Sequence, residues 1–402
     1  MNILSKKLHL VKPSLTLEIT AKSQSLRAEG KDIISLGAGE PDFDTPENVK
    51  QAAYAAIKSG RTKYTPVDGI RELKDAIVKK FSRENVLSYD IDNVSVGCGA
   101  KHVIFNLIMA LINQNDEVII PSPYWVSYPD MVSINGGKPV IVKTSPKNNF
   151  LLTASDLRKN ISSRTKLLIL NSPNNPTGSM YSRDNLAEIS NVLSNFPGIY
   201  VISDDIYEHI TYGNSIHVNL ANINEEMKER TFVVNGVSKA YSMTGWRIGY
   251  VAGKKEVIKA MAKIQSQTTS NPCSISQFAS VEALNSDFSN GFIKNNKLIF
   301  QERRDLVIKN LSNIKSISFT EPEGAFYLFP NIDKLIGQKT FSGKPIKNSQ
   351  DFANYILEES LVAIVPGIAF GAENYFRLSY TTSKQNLEEA CKRMILACKN
   401  LS

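Results

Sequence analysis

The chain has few of the residues that build disulfide-stapled or metal-bound proteins. Its 402 residues include four cysteines, four histidines and two tryptophans. The cysteines (98, 273, 391 and 398) form no Cys-x-x-Cys pair. That excludes a disulfide framework or zinc ribbon and suits a reducing compartment. No metal site is expected. No stretch approaches the roughly 18 consecutive apolar residues of a membrane span. The opening MNILSKKLHLVKPS lacks the apolar core of a signal peptide, so a cytoplasmic protein with no membrane contact is expected. The net charge is +8, but the basic residues are scattered among acidic ones. Without a basic arm, zinc spacing or RNA-binding aromatic signature, no nucleic-acid partner is expected. A general positive field that attracts anionic metabolites is the milder inference.

Apolar content of 42% and charged content of 21% describe an ordinary globular chain. The length allows a large domain with a smaller one appended. Residues 1–13 read as an arm. Residues 14–30 read as a helix with Ser14 as cap and Gly30 as stop. A loop, GAGEPDFDTP, leads to a helix with Pro46 just inside its start. From residue 94 the pattern alternates strand and helix. VSVG, EVIIP, KPVIVK, TKLLILNSP, IYVISDD, TFVVNG and IGYVAG read as strands, which predicts an α/β domain with a largely parallel sheet. Residues 254–312 read as helical with one break at Asn271-Pro272-Cys273. The tail mixes helices near 349–359 and 384–399 with short strands (SISFT, AFYLF, VAIVP, YFRLSY), so a separate α+β domain is expected there. There is no internal repeat and no low-complexity segment.

Several strand ends carry chemistry-bearing residues. Lys239 follows the lead-in Asn-Gly-Val-Ser, with Arg247 eight residues on and glycines at 236, 245 and 249. In a tight pocket, desolvation and nearby cations disfavour an ammonium, and a neutral lysine can form a Schiff base with an aldehyde. Gly97-Cys98-Gly99-Ala100-Lys101 ends one strand and opens a helix, where backbone amides make an anion cradle. It lacks the Gly-Lys-Ser/Thr ending of a P-loop, and His102 stands where a dinucleotide fingerprint wants Gly or Ala. A plain tight turn is the bland alternative. Tyr124-Trp125 follows another strand, and the Trp could stack on a planar ring or simply fill the rim. NSPNNPTG presents Asn175 on a stiff loop, unless it is only a turn. In SDDIY, Asp204 could hold a proton on a ring nitrogen and Tyr207 could donate to a phenolate, or Asp204 could cap a helix. Arg377, in FRLSY, suits a bidentate carboxylate clamp or a surface salt bridge. Together these groups fit an aromatic aldehyde with a phosphate and a ring nitrogen, namely pyridoxal phosphate.

On LGAGEPDFDTP, KYTPVDGIREL, PSPYWVSYP, NSPNNPTG, SDDIYEH, NGVSKAYSMTGWRIGY and FRLSY, the chain resembles class I pyridoxal-phosphate aminotransferases over nearly its whole length. It looks most like the bacterial aspartate aminotransferase subgroup, some of whose members also transaminate prephenate. The resemblance implies the transferase fold type I, with a mostly parallel seven-stranded sheet in a large domain and a small α+β domain. The expected divisions are residues 1–45 (arm and helix, part of the small domain), 46–312 (large domain) and 313–402 (small domain). It also implies a homodimer with shared active sites, acting on amino acids and keto acids.

The implied roles follow residue by residue. Lys239 is the Schiff-base lysine and proton shuttle, Asp204 pairs with the ring nitrogen, and Tyr207 and Asn175 bind the ring oxygen. Trp125 stacks on the ring. Arg247, Ser238 and the amides of Gly99, Ala100 and Lys101 hold the phosphate, with Tyr64 reaching the neighbouring subunit's phosphate. Arg377 clamps the substrate α-carboxylate and Gly39 closes over it. Lys101, with Ser14 and Thr16 nearby, resembles the residue that meets a distal carboxylate. Lys12 resembles the lysine associated with prephenate use. Two features depart from the wider family. Gly236 stands where many members carry a serine, and the distal-carboxylate arginine of the animal-type enzymes has no match. Another chemistry on the same scaffold, such as an aromatic or alanine aminotransferase or a β-lyase, is the alternative.

Overall fold

A computed structural model describes residues 3–11 and 15–402. The Lys12 assignment and the Ser14 cap therefore lie outside the described residues, as does the Thr16 side chain. The strands in chain order are β1 (Ile34–Ser35), β2 (Val94–Gly97), β3 (Glu117–Ser122), β4 (Lys138–Lys143), β5 (Thr165–Asn171), β6 (Tyr200–Asp204), β7 (Thr231–Gly236), β8 (Gly249–Ala252), β9 (Tyr327–Leu328), β10 (Val362–Ala363), β11 (Val365–Pro366) and β12 (Phe376–Ser379).

Seven of them form one sheet in the order β2-β8-β7-β6-β5-β3-β4, with β8 antiparallel to both neighbours and the remaining pairs parallel. The central strands are near-continuous apolar runs because both faces are covered, as parallel sheets require. Leu168, Val201, Ile202, Phe232 and Val233 are fully buried. Burying each such side chain stabilises the fold by about 1.5–3 kcal/mol. On one face Val103, Ile104 and Leu107 of the helix Ala100–Leu111 pack with Ile258 and Met261 of the helix Lys255–Ser266. On the other, Leu186 and Ile189 of Arg183–Leu193 pack against Leu168 and Val201.

Parallel register sets Asn171 beside Asp204, and Asp204 beside Val234. The strand ends that carry chemistry thus open on one side of the sheet, the usual ligand edge of α/β folds. The tail builds a second unit. There β1 pairs with β10 in parallel, and β11-β12-β9 form a small antiparallel sheet. Its core combines Phe352, Ile356, Phe376 and Leu387 with Phe300, Val307 and Leu311 from the long helix Asp287–Leu311. Tyr207 and Tyr212 from the large sheet's loops join the same core, so the second unit is packed against the ligand edge.

The structure redraws some local expectations. The helical stretch 254–312 is three helices, Lys255–Ser266, Ser274–Asn285 and Asp287–Leu311, with a second break at Ser286, whose extended backbone turns the chain. Pro46 precedes the helix Glu47–Lys58 as its N-cap residue, at φ −52° and ψ 141°, instead of lying inside it. In SISFT only Ser318 makes a strand-like bridge, to Asn331. VAIVP is split at Ile364 into two strands of different sheets.

Candidate active site

The strand ends and the second unit enclose a cavity of about 950 Å³. That volume is in the range of small-molecule sites. Gly39, Ala100, Lys101, Trp125 and Asn175 line it. So do Asp204, Tyr207, Ser238, Lys239, Arg247 and Arg377. Gly99 adjoins it through its contact with Arg247. Tyr64 is not among the lining residues and is 91% exposed in the single chain.

Lys239 sits three residues past β7 and donates to the Gly39 carbonyl at 2.6 Å. Burial brings its pKa down to about 8, and the Arg377 and Arg247 guanidinium groups act in the same direction against Glu40 and Asp204. Neutral amine is therefore abundant near pH 8. Asp204 ends β6, is 4% exposed, and has its carboxyl pKa pushed up to about 6 by burial. The Tyr128 hydroxyl opposes that shift by donating to Oδ2 at 2.6 Å, and the Ile206 amide donates to Oδ1 at 3.3 Å. No helix follows β6 directly, so Asp204 is not a helix cap. Its remaining acceptor capacity suits a cation or an N–H donor.

Arg377 ends the opposite wall. Its Nη1 donates to Asn175 Oδ1 at 2.9 Å and its Nη2 to the Gly37 carbonyl at 2.7 Å. The bond to Oδ1 fixes the Asn175 amide, leaving Nδ2 as a donor. Arg377 is 3% exposed, packs over the Tyr327 and Phe370 rings, and has a buried Nε with no partner. Among the described residues no carboxylate pairs with it. A buried guanidinium without a counter-ion is costly unless an anionic ligand completes it.

The turn Gly97-Cys98-Gly99 leads into the helix Ala100–Leu111 with Gly99 at φ +87°. A side chain at Gly99 would overlap the Arg247 guanidinium, and one at Gly249 would overlap the Gly99–Ala100 backbone. Arg247 is pinned by the Thr244 and Cys98 carbonyls at 2.8 and 3.3 Å. Helix amides, Arg247 and the nearby Lys101 thus form a cationic cradle without a carboxylate partner among the described residues. Lys101 Nζ also lies 4.9 Å from the Trp125 ring centroid, and burial together with Arg247 lowers its pKa.

Tyr207 bonds to another phenol. Its hydroxyl lies 2.7 Å from that of Tyr327, and burial raises its pKa. Sequence reasoning missed two functional neighbours, Tyr128 and Tyr327. Tyr128 lies within PSPYWVSYP, three residues after Trp125 and at the start of the helix Ser127–Ile134, where the ring turns back under the site. Tyr327 gives no local signal, because AFYLF reads as an apolar strand and only the fold brings it to Arg377.

This geometry agrees with what comparison with known proteins finds. A model of "Aminotransferase class I and II" matches residues 31–394. The "Probable aspartate/prephenate aminotransferase" of Rickettsia felis is 56% identical over all of this chain and 98% of its own length. The aspartate/prephenate aminotransferase of Cereibacter sphaeroides is 50% identical over the whole of both chains. The crystal structure of the aspartate aminotransferase from Rhizobium meliloti superposes with a TM-score of 0.96 at 49% identity, covering 99% of each chain. The chain belongs to the class I and II aminotransferases, with their fold-type-I architecture.

Proposed function

We propose that the protein is a pyridoxal-phosphate-dependent aspartate aminotransferase that also accepts prephenate. L-aspartate leaves as oxaloacetate and 2-oxoglutarate becomes L-glutamate; in the second reaction prephenate becomes arogenate. The observation that carries the reading is Arg377, a buried guanidinium without a carboxylate partner among the described residues, set in the same cavity as a lysine of lowered pKa. The full-length relatives' names support the choice of substrates.

The residues fit the cofactor. Cβ atoms at Gly99 and Gly249 would push on Arg247 and on the Gly99–Ala100 backbone, so the glycines keep the cradle's shape, and Arg247, Ser238 and the amides of Gly99, Ala100 and Lys101 would hold a phosphate there. Trp125 would cover the ring. Asp204 would keep a proton on the ring nitrogen, and Tyr207 and Asn175 would donate to the ring oxygen. When bound, pyridoxal phosphate supplies an aldehyde that carries the amino group and a ring that draws electrons from the substrate Cα. Lys239 Nζ, partly neutral through its lowered pKa, would take the proton from Cα and hand it to the carbon that was the cofactor's aldehyde, and would run the same transfer backwards in the other half. Arg377 binds the α-carboxylate, with Gly39 closing over it, and Lys101 meets the distal carboxylate. Lys12 is assigned to the second carboxylate of prephenate. Tyr64, exposed in one chain, is assigned to the phosphate of the partner subunit in a cytoplasmic homodimer. Residues 46–312 form the cofactor domain, and 1–45 with 313–402 the small one. Among the described residues no helix is long and apolar enough to cross a membrane.

The test is the visible absorption spectrum of the purified protein with added pyridoxal phosphate. A yellow band that bleaches with L-aspartate and returns with prephenate is the expected result. Return with 2-oxoglutarate alone removes the prephenate assignment, and a chain that stays colourless removes the cofactor.

A further inference from the structure

Behind the cavity floor lies a second group of ionisable side chains that the proposed reaction does not use. Asp205 follows Asp204, and Glu208 follows Tyr207. Both carboxylates are buried, and so is Lys80, from the helix Arg71–Asn85. Lys80 pairs with Glu208, and its Nζ lies 3.6 Å from Glu84. Asn85 Nδ2 and Asn235 Nδ2 each donate to Glu208 at 2.7 Å. Asn235 lies in β7, four residues before Lys239. The cluster therefore ties the loop of Asp204 and Tyr207 to the loop of Lys239.

The charges can be counted. Lys80 and Arg83 match Glu208 and Glu84, and His209 Nε2 closes on Glu84 at 2.9 Å. Asp205 accepts from Ser203 Oγ at 2.8 Å and from Asn219, both neutral donors. Its ion-pair partner among the described residues is His217, with Nε2 3.2 Å from Oδ2. The His217 side chain is 8% exposed, and neither ring nitrogen makes a hydrogen bond among the described residues, so its tie to Asp205 is an ion-pair contact. Asp205, Glu208 and Lys80 are the charged groups facing it, and the buried, unpartnered Tyr89 hydroxyl feels the same Asp205 charge. The atoms of Asp205, Glu208 and His217 are close enough to surround a metal ion. Lys80 already neutralises Glu208, however, so a proton on His217 balances the cluster and a divalent ion does not.

We propose that His217 is a positioning residue that stays an imidazolium, neutralising Asp205 and so shielding the adjacent Asp204 from a second buried negative charge. Asp205 adds to burial in raising the Asp204 pKa, so an unneutralised Asp205 would hold the free Asp204 carboxyl protonated to higher pH, where it cannot accept from a ring N–H. The raised His217 pKa fits the same arrangement, since its carboxylate neighbours outweigh its burial. By linkage, this stabilisation is complete below the ordinary histidine pKa and is lost as pH rises through the folded one.

The inference rests on the proposed cofactor reading for its consequence, but not for its first test. The full chain without cofactor carries four histidines, so ring-labelled NMR can follow each one, with assignment by single substitution. The His217 ring is expected to be protonated at pH 7 and to titrate above an ordinary histidine. A ring that is neutral at pH 7, or zinc retained one per chain, overturns the proposal. The second test uses His217→Gln, whose neutral amide can still reach Asp205. The acid-side break in its pyridoxal-phosphate Kd plotted against pH, which reports Asp204 in the free protein, should move up by about one unit. Adding Asp205→Asn should bring the break most of the way back. An unmoved break in the single variant, or no return in the double, also overturns it. Wild-type protein that binds no pyridoxal phosphate at all would instead sink the cofactor reading and leave the titration standing.

Discussion

Asp204 and Asp205 are adjacent in sequence, yet they belong to opposite electrostatic regimes. The cavity side holds Lys239, Arg247 and Arg377, and no carboxylate pairs with any of them among the described residues. The rear side holds Lys80, Arg83, Glu84, Glu208, Asp205 and His217, and there each charge has an opposite partner within 4 Å. Both regions contain buried charge, which costs several kcal/mol per ion when unpaired. At the rear the protein itself offsets that cost. In the cavity the cost is left open, and a ligand can close it. Buried charge alone therefore marks nothing; buried charge without a partner marks a site.

Four substitutions sharpen or break this contrast. Lys239→Ala removes both nucleophile and base and should lower kcat by roughly 10⁴-fold while far-UV circular dichroism stays unchanged. Turnover near the wild-type rate would end the assigned role. Arg377→Ala removes two charge-assisted bonds worth about 1.5–3 kcal/mol each. The kcat/KM for L-aspartate should then fall by roughly 10²- to 10⁴-fold, as measured by a coupled oxaloacetate assay. Lys80→Met leaves Glu208 buried without its ammonium, and the unfolding free energy in urea should drop by about 3–5 kcal/mol. A loss below about 1 kcal/mol would mean the rear charges are not a paired network.

Asp204→Asn makes the opposite prediction. A carboxyl raised from 3.8 to about 6 by burial is ionised at neutral pH at the expense of stability. The unfolded chain gives up its proton near pH 4 and the folded chain near pH 6, so the cofactor-free protein loses stability as pH rises between the two. About two pKa units correspond to roughly 3 kcal/mol. The cofactor-free Asn variant should gain up to about that much at pH 8 and nothing near pH 3, while transamination collapses. Equal stabilities at both pH values would show that Asp204 is not under this strain.

The sequence was most legible where chemistry and local structure share one short segment. NGVSKAYSMTGWRIGY carries both the lysine and Arg247, and Gly97-Cys98-Gly99 shows its turn before any fold is known. The seven large-sheet strands were readable because a sheet covered on both faces leaves uninterrupted apolar runs. The tail was harder. Strands of two to four residues leave too little periodicity, so SISFT looked like a strand and VAIVP like one strand instead of two. Tyr128 was visible as a residue but not as a partner, since its bond to Asp204 spans 76 positions.

By itself, the sequence determined the resemblance, the alternating α/β order and the kinds of group available at each strand end, because backbone geometry and apolar period are local properties. Only the tertiary structure decided which charges meet. The lowered Lys239 pKa comes from burial, Arg377 lacks a counter-ion because no acidic residue among the described ones pairs with it, and Asp205 turns to His217 while Asp204 turns to Tyr128. These outcomes depend on desolvation and on distances between residues far apart in the chain, and no local pattern encodes either.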